Sequence, residues 1–144
     1  MRNWIILVEN ALPPLPTKGA TPWWVEPLQE LTQEVVANDP EWGWTNGGCF
    51  TFAEVLAKAY GGKCAVIIVW DDRADDWWNH HAIVEINGVY YDYNGVFVMP
   101  KRGDDGHKRA KIVPPDSDEY GYQWMDEMHL DDDQLERLNA VFNQ

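Results

Sequence analysis

Between Cys49 and Tyr60 the polar residues Thr51, Glu54 and Lys58 recur at three- and four-residue intervals, and apolar residues fill nearly every other position. That spacing predicts a helix apolar over most of its circumference, which belongs at the centre of a fold. "YGG" closes it with glycine where a helix C-terminus wants one. "KCAVIIVW" follows, a continuous β-branched run that predicts a buried strand. "HAIVEINGVYYDYNG" then predicts two strands about Asn87–Gly88, the preferred residue pair for a two-residue hairpin turn.

Weaker signals surround this centre. Trp4–Val8 reads as a short strand, and the proline-rich "ALPPLPTKGATPWW" reads as an extended connector across the surface. Leu28, Leu31, Val35 and Val36 predict an amphipathic helix from Val25 to Ala37, stopped at Asn38–Pro40. "DDRADDWWNH" and "PKRGDDGHKRAK" read as polar loops, "VFVM" as an extension of the sheet, and "KIVPP" as a short edge strand. A last helix begins near Asp131, where a cluster of acids suits a helix N-terminus. The order of these elements predicts an α+β fold, a central cysteine-bearing helix packed on an antiparallel sheet, with residues 1–144 forming one domain.

Charge narrows the partners. With 24 acidic against 11 basic residues the net charge is −13, which repels nucleic acid and anionic membrane surfaces. The N-terminal apolar run "WIILV" is too short for a signal peptide or a membrane span, so a cytoplasmic location is expected. The two cysteines, Cys49 and Cys64, make no disulfide framework and are expected as reduced thiols. Nine tryptophans, many beside charges, suggest a rimmed cleft or contact surface as well as a core.

Chemistry centres on Cys49. A buried structural thiol is the ordinary role of a free cysteine. Here, however, the sulfur follows Gly47 and Gly48 at a helix start, where unpaired amides and the helix dipole favour thiolate and offer donors to an oxyanion. A thiolate needs an imidazole, and the imidazole needs an acceptor on its far nitrogen. Pairing about Asn87–Gly88 sets residues whose numbers sum to 175 opposite one another. His81 then faces Asn94, and Asp92 is its diagonal neighbour. His80 is a rival base, because adjacent strand positions face opposite sides; His80 shares a face with Ala82, Val84 and Ile86, and His81 with Ile83 and Glu85. For the second oxyanion donor the candidates are the Asn46 side chain and Trp44, through its backbone or indole N–H.

"NGGCFTFA", "HHAIVEI" and "VYYDYNG" together resemble the papain-like superfamily, in particular its transglutaminase-like and NlpC-like branches. The resemblance covers about residues 44 to 96. It implies a papain-like fold and a catalytic triad in the order Cys49, His81, Asp92, and it favours His81 over His80. Ile83 departs from the aromatic residue usual two positions after the transglutaminase-like histidine. The function expected is a thiol hydrolase or acyltransferase acting on an amide, isopeptide or thioester bond, with no cofactor. Its substrate would be a peptide, a protein or an amine-bearing molecule, because the acids of "DDRADDWW" favour cations and Trp77 and Trp78 offer stacking surfaces. Two other readings compete: an acidic binding or inhibitory protein that engages a basic partner without turnover, and a divalent-metal site among Asp71, Asp72, Asp75, Asp76, His80 and His81.

Overall fold

A computed structural model describes residues 12–99, 109–117 and 130–143, except that the side chains of Trp78, Asn79 and His80 are outside the description. The strand expected at Trp4–Val8, the loop histidine His107 and His129 also lie outside the described residues. Three helices, α1 (Gln29–Asn38), α2 (Cys49–Tyr60) and α3 (Asp132–Phe142), accompany a sheet of β1 (Lys63–Asp71), β2 (Asp76–Ile86), β3 (Val89–Asp92), β4 (Gly95–Val96) and β5 (Ala110–Val113). The fold is α+β. The sheet is antiparallel and open, in the order β4-β3-β2-β1-β5. No described helix is long and apolar enough to cross a membrane.

Helix α2 is the hub. Cys49, Phe50, Phe52, Ala53, Val55 and Leu56 are buried, and so is Thr51, which the polar stripe had placed on the outside. Its apolar side packs on Val66, Ile68, Ala82, Val84 and Ile86 of the sheet. The hairpin register is the expected one, Ile86↔Val89 through Val84↔Tyr91. Asn87 and Gly88 both take positive φ, 51° and 83°, as the tight hairpin turn requires.

Two expectations are corrected. The first helix begins at Gln29, not Val25, because residues 23–28 form turns in which Trp24 is fully buried and its Nε1 donates to the Tyr93 carbonyl at 2.7 Å. Much of "DDRADDWWNH" is also strand: β2 starts at Asp76, Asp71↔Asp76 closes the ladder, and only the four residues between them form the turn. Cross-strand pairing of Trp70 with Trp77, whose rings lie 5.3 Å apart, outweighs the local polarity there.

The connector and α3 lock this centre in place. The connector crosses the end of α2, where Tyr60 Oη donates to the Pro13 carbonyl and accepts from Trp23 Nε1. Helix α3 carries a capping box, Asp131 with Gln134, and buries Leu138 and Phe142. Arg137 and Gln134 of α3 both donate to the Glu34 carboxylate of α1.

Candidate active site

Cys49 is the first residue of α2 and is 6% exposed. The loop before it is wound tightly: Gly48 N donates to the Gly43 carbonyl, and Gly47 sits at φ +105°, a conformation that requires glycine. The Gly48 α-carbon lies under the Trp42 indole, so a Cβ built there would stand 2.7 Å from Trp42 Cζ2. Gly48 is thus needed for packing of Trp42.

His81 and Asp92 arrive from two strands. Asp92 lies at the β3–β4 turn, where its Oδ1 accepts from Asn94 N at 2.8 Å and its Oδ2 meets His81 Nε2 at 2.9 Å. Both side chains are buried, at 7% and 8% exposure. The β2–β3 ladder ends at Val84↔Tyr91, and β3 then turns to pair with β4, so the strands have parted where the imidazole stands. A bulge adds to this. Ile67 pairs with His81 but Ile68 pairs with Asn79, which makes His80 the extra residue of β2. The other side of the imidazole carries Phe97, with ring centroids 5.6 Å apart.

The Cys49 thiol is the imidazole's second partner. Burial disfavours the charged ring, but the hydrogen bond to Asp92, the hydrogen bond to Cys49 and the negative charges of both raise His81 from 6.5 to about 9. At neutral pH the ring is therefore an imidazolium that faces the Asp92 carboxylate through Nε2, with Cys49 as its other neighbour.

Cys64 has a different character. Half-buried beneath α2, it is pushed up to about 11, first by burial and then by the charge of Glu54.

Of the expected accessory residues, the Trp78 side chain lies outside the described residues, and the side chains of Asn46, Trp44 and Trp77 have partners of their own. The Asn46 side chain is exposed and its Nδ2 donates to the Glu41 carbonyl at 2.7 Å, so it is engaged in the turn. Trp44 is 3% exposed, stacked on Tyr93 at 5.4 Å, and its Nε1–H is spent on Thr32 Oγ1 at 2.8 Å. What remains of the expected donors is the Trp44 backbone N–H and the Cys49 amide, the latter one of the first-turn N–H groups that have no acceptor within a helix. Trp77 does not present a bare ring to solvent, because Lys111 Nζ lies 4.4 Å and Arg109 Cζ 5.3 Å from its centroid. No group of three or more His, Cys, Asp or Glu among the described residues could hold a metal ion.

Two features here escaped the sequence reading. The Phe97 contact on the imidazole left no local trace. The Asp92–Asn94 turn did leave one: aspartate two residues before an amide it can accept, in "DYNG", is common turn chemistry.

A family model described as Phage YunG-like protein matches residues 28–130, more than half of the chain and a span that contains Cys49, His81 and Asp92. No curated protein and no solved structure matches.

Proposed function

The chain belongs to the Phage YunG-like family, and we propose that it is a cysteine-dependent hydrolase or acyltransferase of papain-like type, acting on an amide, isopeptide or thioester bond. One observation carries the reading: a single buried imidazole joins the carboxylate of Asp92 to the thiol of Cys49, at a helix start.

The chemistry follows from the roles these groups can take. The Cys49 proton resides on His81, and the thiolate attacks the substrate carbonyl carbon. The carbon–oxygen π pair moves onto oxygen, toward the Cys49 amide. Collapse of the tetrahedral intermediate expels the amine or thiol, which takes the His81 proton, and leaves a thioester on Cys49. Water or an acceptor amine then attacks, giving its proton to His81, and the sulfur departs as thiolate. Asp92 keeps Nε2 protonated and the ring aimed throughout. A reduced thiol is required, which suits the cytoplasm.

The test uses iodoacetamide at about pH 6, where an ordinary thiol of pKa about 8.5 is almost wholly protonated. Adducts are located by peptide mass mapping, and a nitrophenyl ester is offered in parallel. The expected result is modification at Cys49 and not at Cys64, slowed at least tenfold in His81→Ala, with a stoichiometric burst of nitrophenol from the unaltered protein. Modification of Cys49 only after denaturation, with no burst, would overturn the proposal in favour of an acidic binding protein.

A further inference from the structure

A hollow of about 400 Å³ opens between the connector, α1 and Tyr93, and none of Cys49, His81 and Asp92 lines it. Its volume is that of a small-molecule site, for which ~300–1,000 Å³ is usual. Its walls are the buried Pro22 and the half-buried Trp23, Val25 and Tyr93. Its rim carries Glu26, Gln29 and Gln33, all exposed.

Wall and rim differ in what they leave over for a ligand. The polar atoms of the wall are spent inside the protein. Trp23 Nε1 donates to Tyr60 Oη at 3.0 Å, and the Tyr93 hydroxyl pairs with that of Thr32, which itself donates to the Leu28 carbonyl and accepts from Trp44 Nε1. The wall therefore offers ring and aliphatic surface. On the rim, the side chains of Glu26, Gln29 and Gln33 meet no partner among the described residues. Gln29 and Gln33 stand one turn apart on α1, and the turn in which Gln29 N donates to the Glu26 carbonyl at 3.1 Å continues the same edge.

Charge sets the sign of the ligand. Glu26 is the one ionised side chain among the lining residues, and no lysine or arginine joins it. The cation that α1 does meet lies on another face: Arg137 of α3 reaches Glu34 Oε2 at 2.6 Å and lines a separate hollow together with Glu30. Glu30 and Glu34 thus face a guanidinium, and Glu26 faces the open hollow. With a net charge of −13 behind it, this surface repels anions, and a cation laid against Trp23 or Tyr93 gains from the ring as well.

We infer that this hollow binds an organic amine, its hydrocarbon stem on the Trp23 and Tyr93 rings, its ammonium at the Glu26 carboxylate, and the Gln29 and Gln33 carboxamide oxygens as further acceptors. The inference stands apart from the thiol chemistry. It places an amine at a different surface from the acidic loop where the sequence suggested one.

Hexylammonium is titrated into isotope-labelled protein, with hexanol as a neutral probe of matching size and N-acetyl-lysine methylamide as a model of a protein lysine. The readout is the shift of the Trp23 indole N–H and of the Gln29 and Gln33 carboxamide resonances. The expected result is saturable shifts at all three, with hexylammonium at least threefold tighter than hexanol. That preference disappears at about 1 M salt, where the Debye length is ~3 Å. Glu26→Gln weakens hexylammonium about threefold, as loss of an exposed ion pair does, and leaves hexanol unaffected. Glu30→Gln removes the same net charge from the Arg137 side and has less than half that effect. A lysine model tighter than hexylammonium assigns the hollow to protein lysines, and a weaker one to free amines; both support the inference. Shifts that do not saturate, hexanol binding as tightly as hexylammonium, or equal losses in the two glutamine variants would overturn it. The comparison of hexylammonium with hexanol needs no variant, and every arm is read without reference to Cys49 reactivity.

Discussion

At the level of single residues, His81 makes its site a source of pH-dependent stability. Its value is about 9 in the fold against 6.5 outside it, because two partners that favour the charged ring outweigh the burial that opposes it. A group raised on folding contributes all of its stabilisation below the unfolded value and loses it as pH climbs through the folded one. Chemical denaturation should therefore show stability falling by on the order of 3 kcal/mol between about pH 6.5 and 9, with His81→Gln nearly flat across that window. Cys64, raised from 9.0 to about 11, sheds its own share only as pH climbs from about 9 upward, so the scan ends where that loss begins. Asp92 offers a second test. Asn at this position keeps the acceptor for Asn94 N but removes the negative charge facing Nε2. Asp92→Asn should lower the upper pH limb of Cys49 alkylation toward the ordinary histidine range and leave the fold intact by near-UV dichroism. An unmoved limb would mean that Asp92 does not hold the imidazolium.

The elements show which parts of a sequence signal their own structure. The Asn87–Gly88 hairpin, the glycine after α2 and the acids opening α3 are local devices, and each works where the pattern puts it. Register followed from the hairpin, so the diagonal placement of Asp92 near His81 was legible before any coordinates. What was not legible depends on distant residues. The start of β2 at Asp76 rests on Trp70 across the ladder and the Arg109 stack; the Trp44 indole was misread because its partner, Thr32, lies on α1. Gly48 is the sharpest case, since two glycines before a cysteine look the same whether they admit a ligand or an indole. Gly48→Ala forces Cβ into Trp42 and against the Gly43 carbonyl. Overpacking of this kind costs about 1–3 kcal/mol. The loop also sets the start of α2, so the variant should lose Cys49 alkylation rate at temperatures where it is still folded; a drop in thermal midpoint with an unchanged rate would detach Trp42 from the site. Three residues after Gly48, Thr51 Oγ1 is buried without a hydrogen-bond partner among the described residues. Thr51→Val should be neutral or stabilising by about 1 kcal/mol in denaturant titration.

For the molecule as a whole, the site draws on three segments that meet only when the chain is closed, and closure is completed by its last helix. Phe142 is 2% exposed and packs on Trp23 at 5.3 Å, Phe52 at 5.8 Å and Trp24 at 6.0 Å between ring centroids, so it joins α3 to both the connector and α2. It touches none of Cys49, His81 and Asp92 by any of these contacts. Truncating such a ring typically costs about 3–5 kcal/mol, a large share of the 5–15 kcal/mol available to a domain of ordinary stability. At ~2–4 °C per kcal/mol for a chain of this size, Phe142→Ala should lower the thermal midpoint by about 10 °C or more. The two cysteines then report different events in one experiment. On the proposed mechanism Cys49 reacts from the native state, and its alkylation rate below the new midpoint should match that of the unaltered protein. Cys64 is held neutral by burial and becomes reactive on unfolding, so its modification should track the midpoint down in temperature. If the Cys49 rate in Phe142→Ala drops in step with the midpoint even where dichroism shows a native fold, α3 takes part in shaping the site; if Cys64 reacts equally in both proteins well below either midpoint, local opening beneath α2 governs it and not global unfolding.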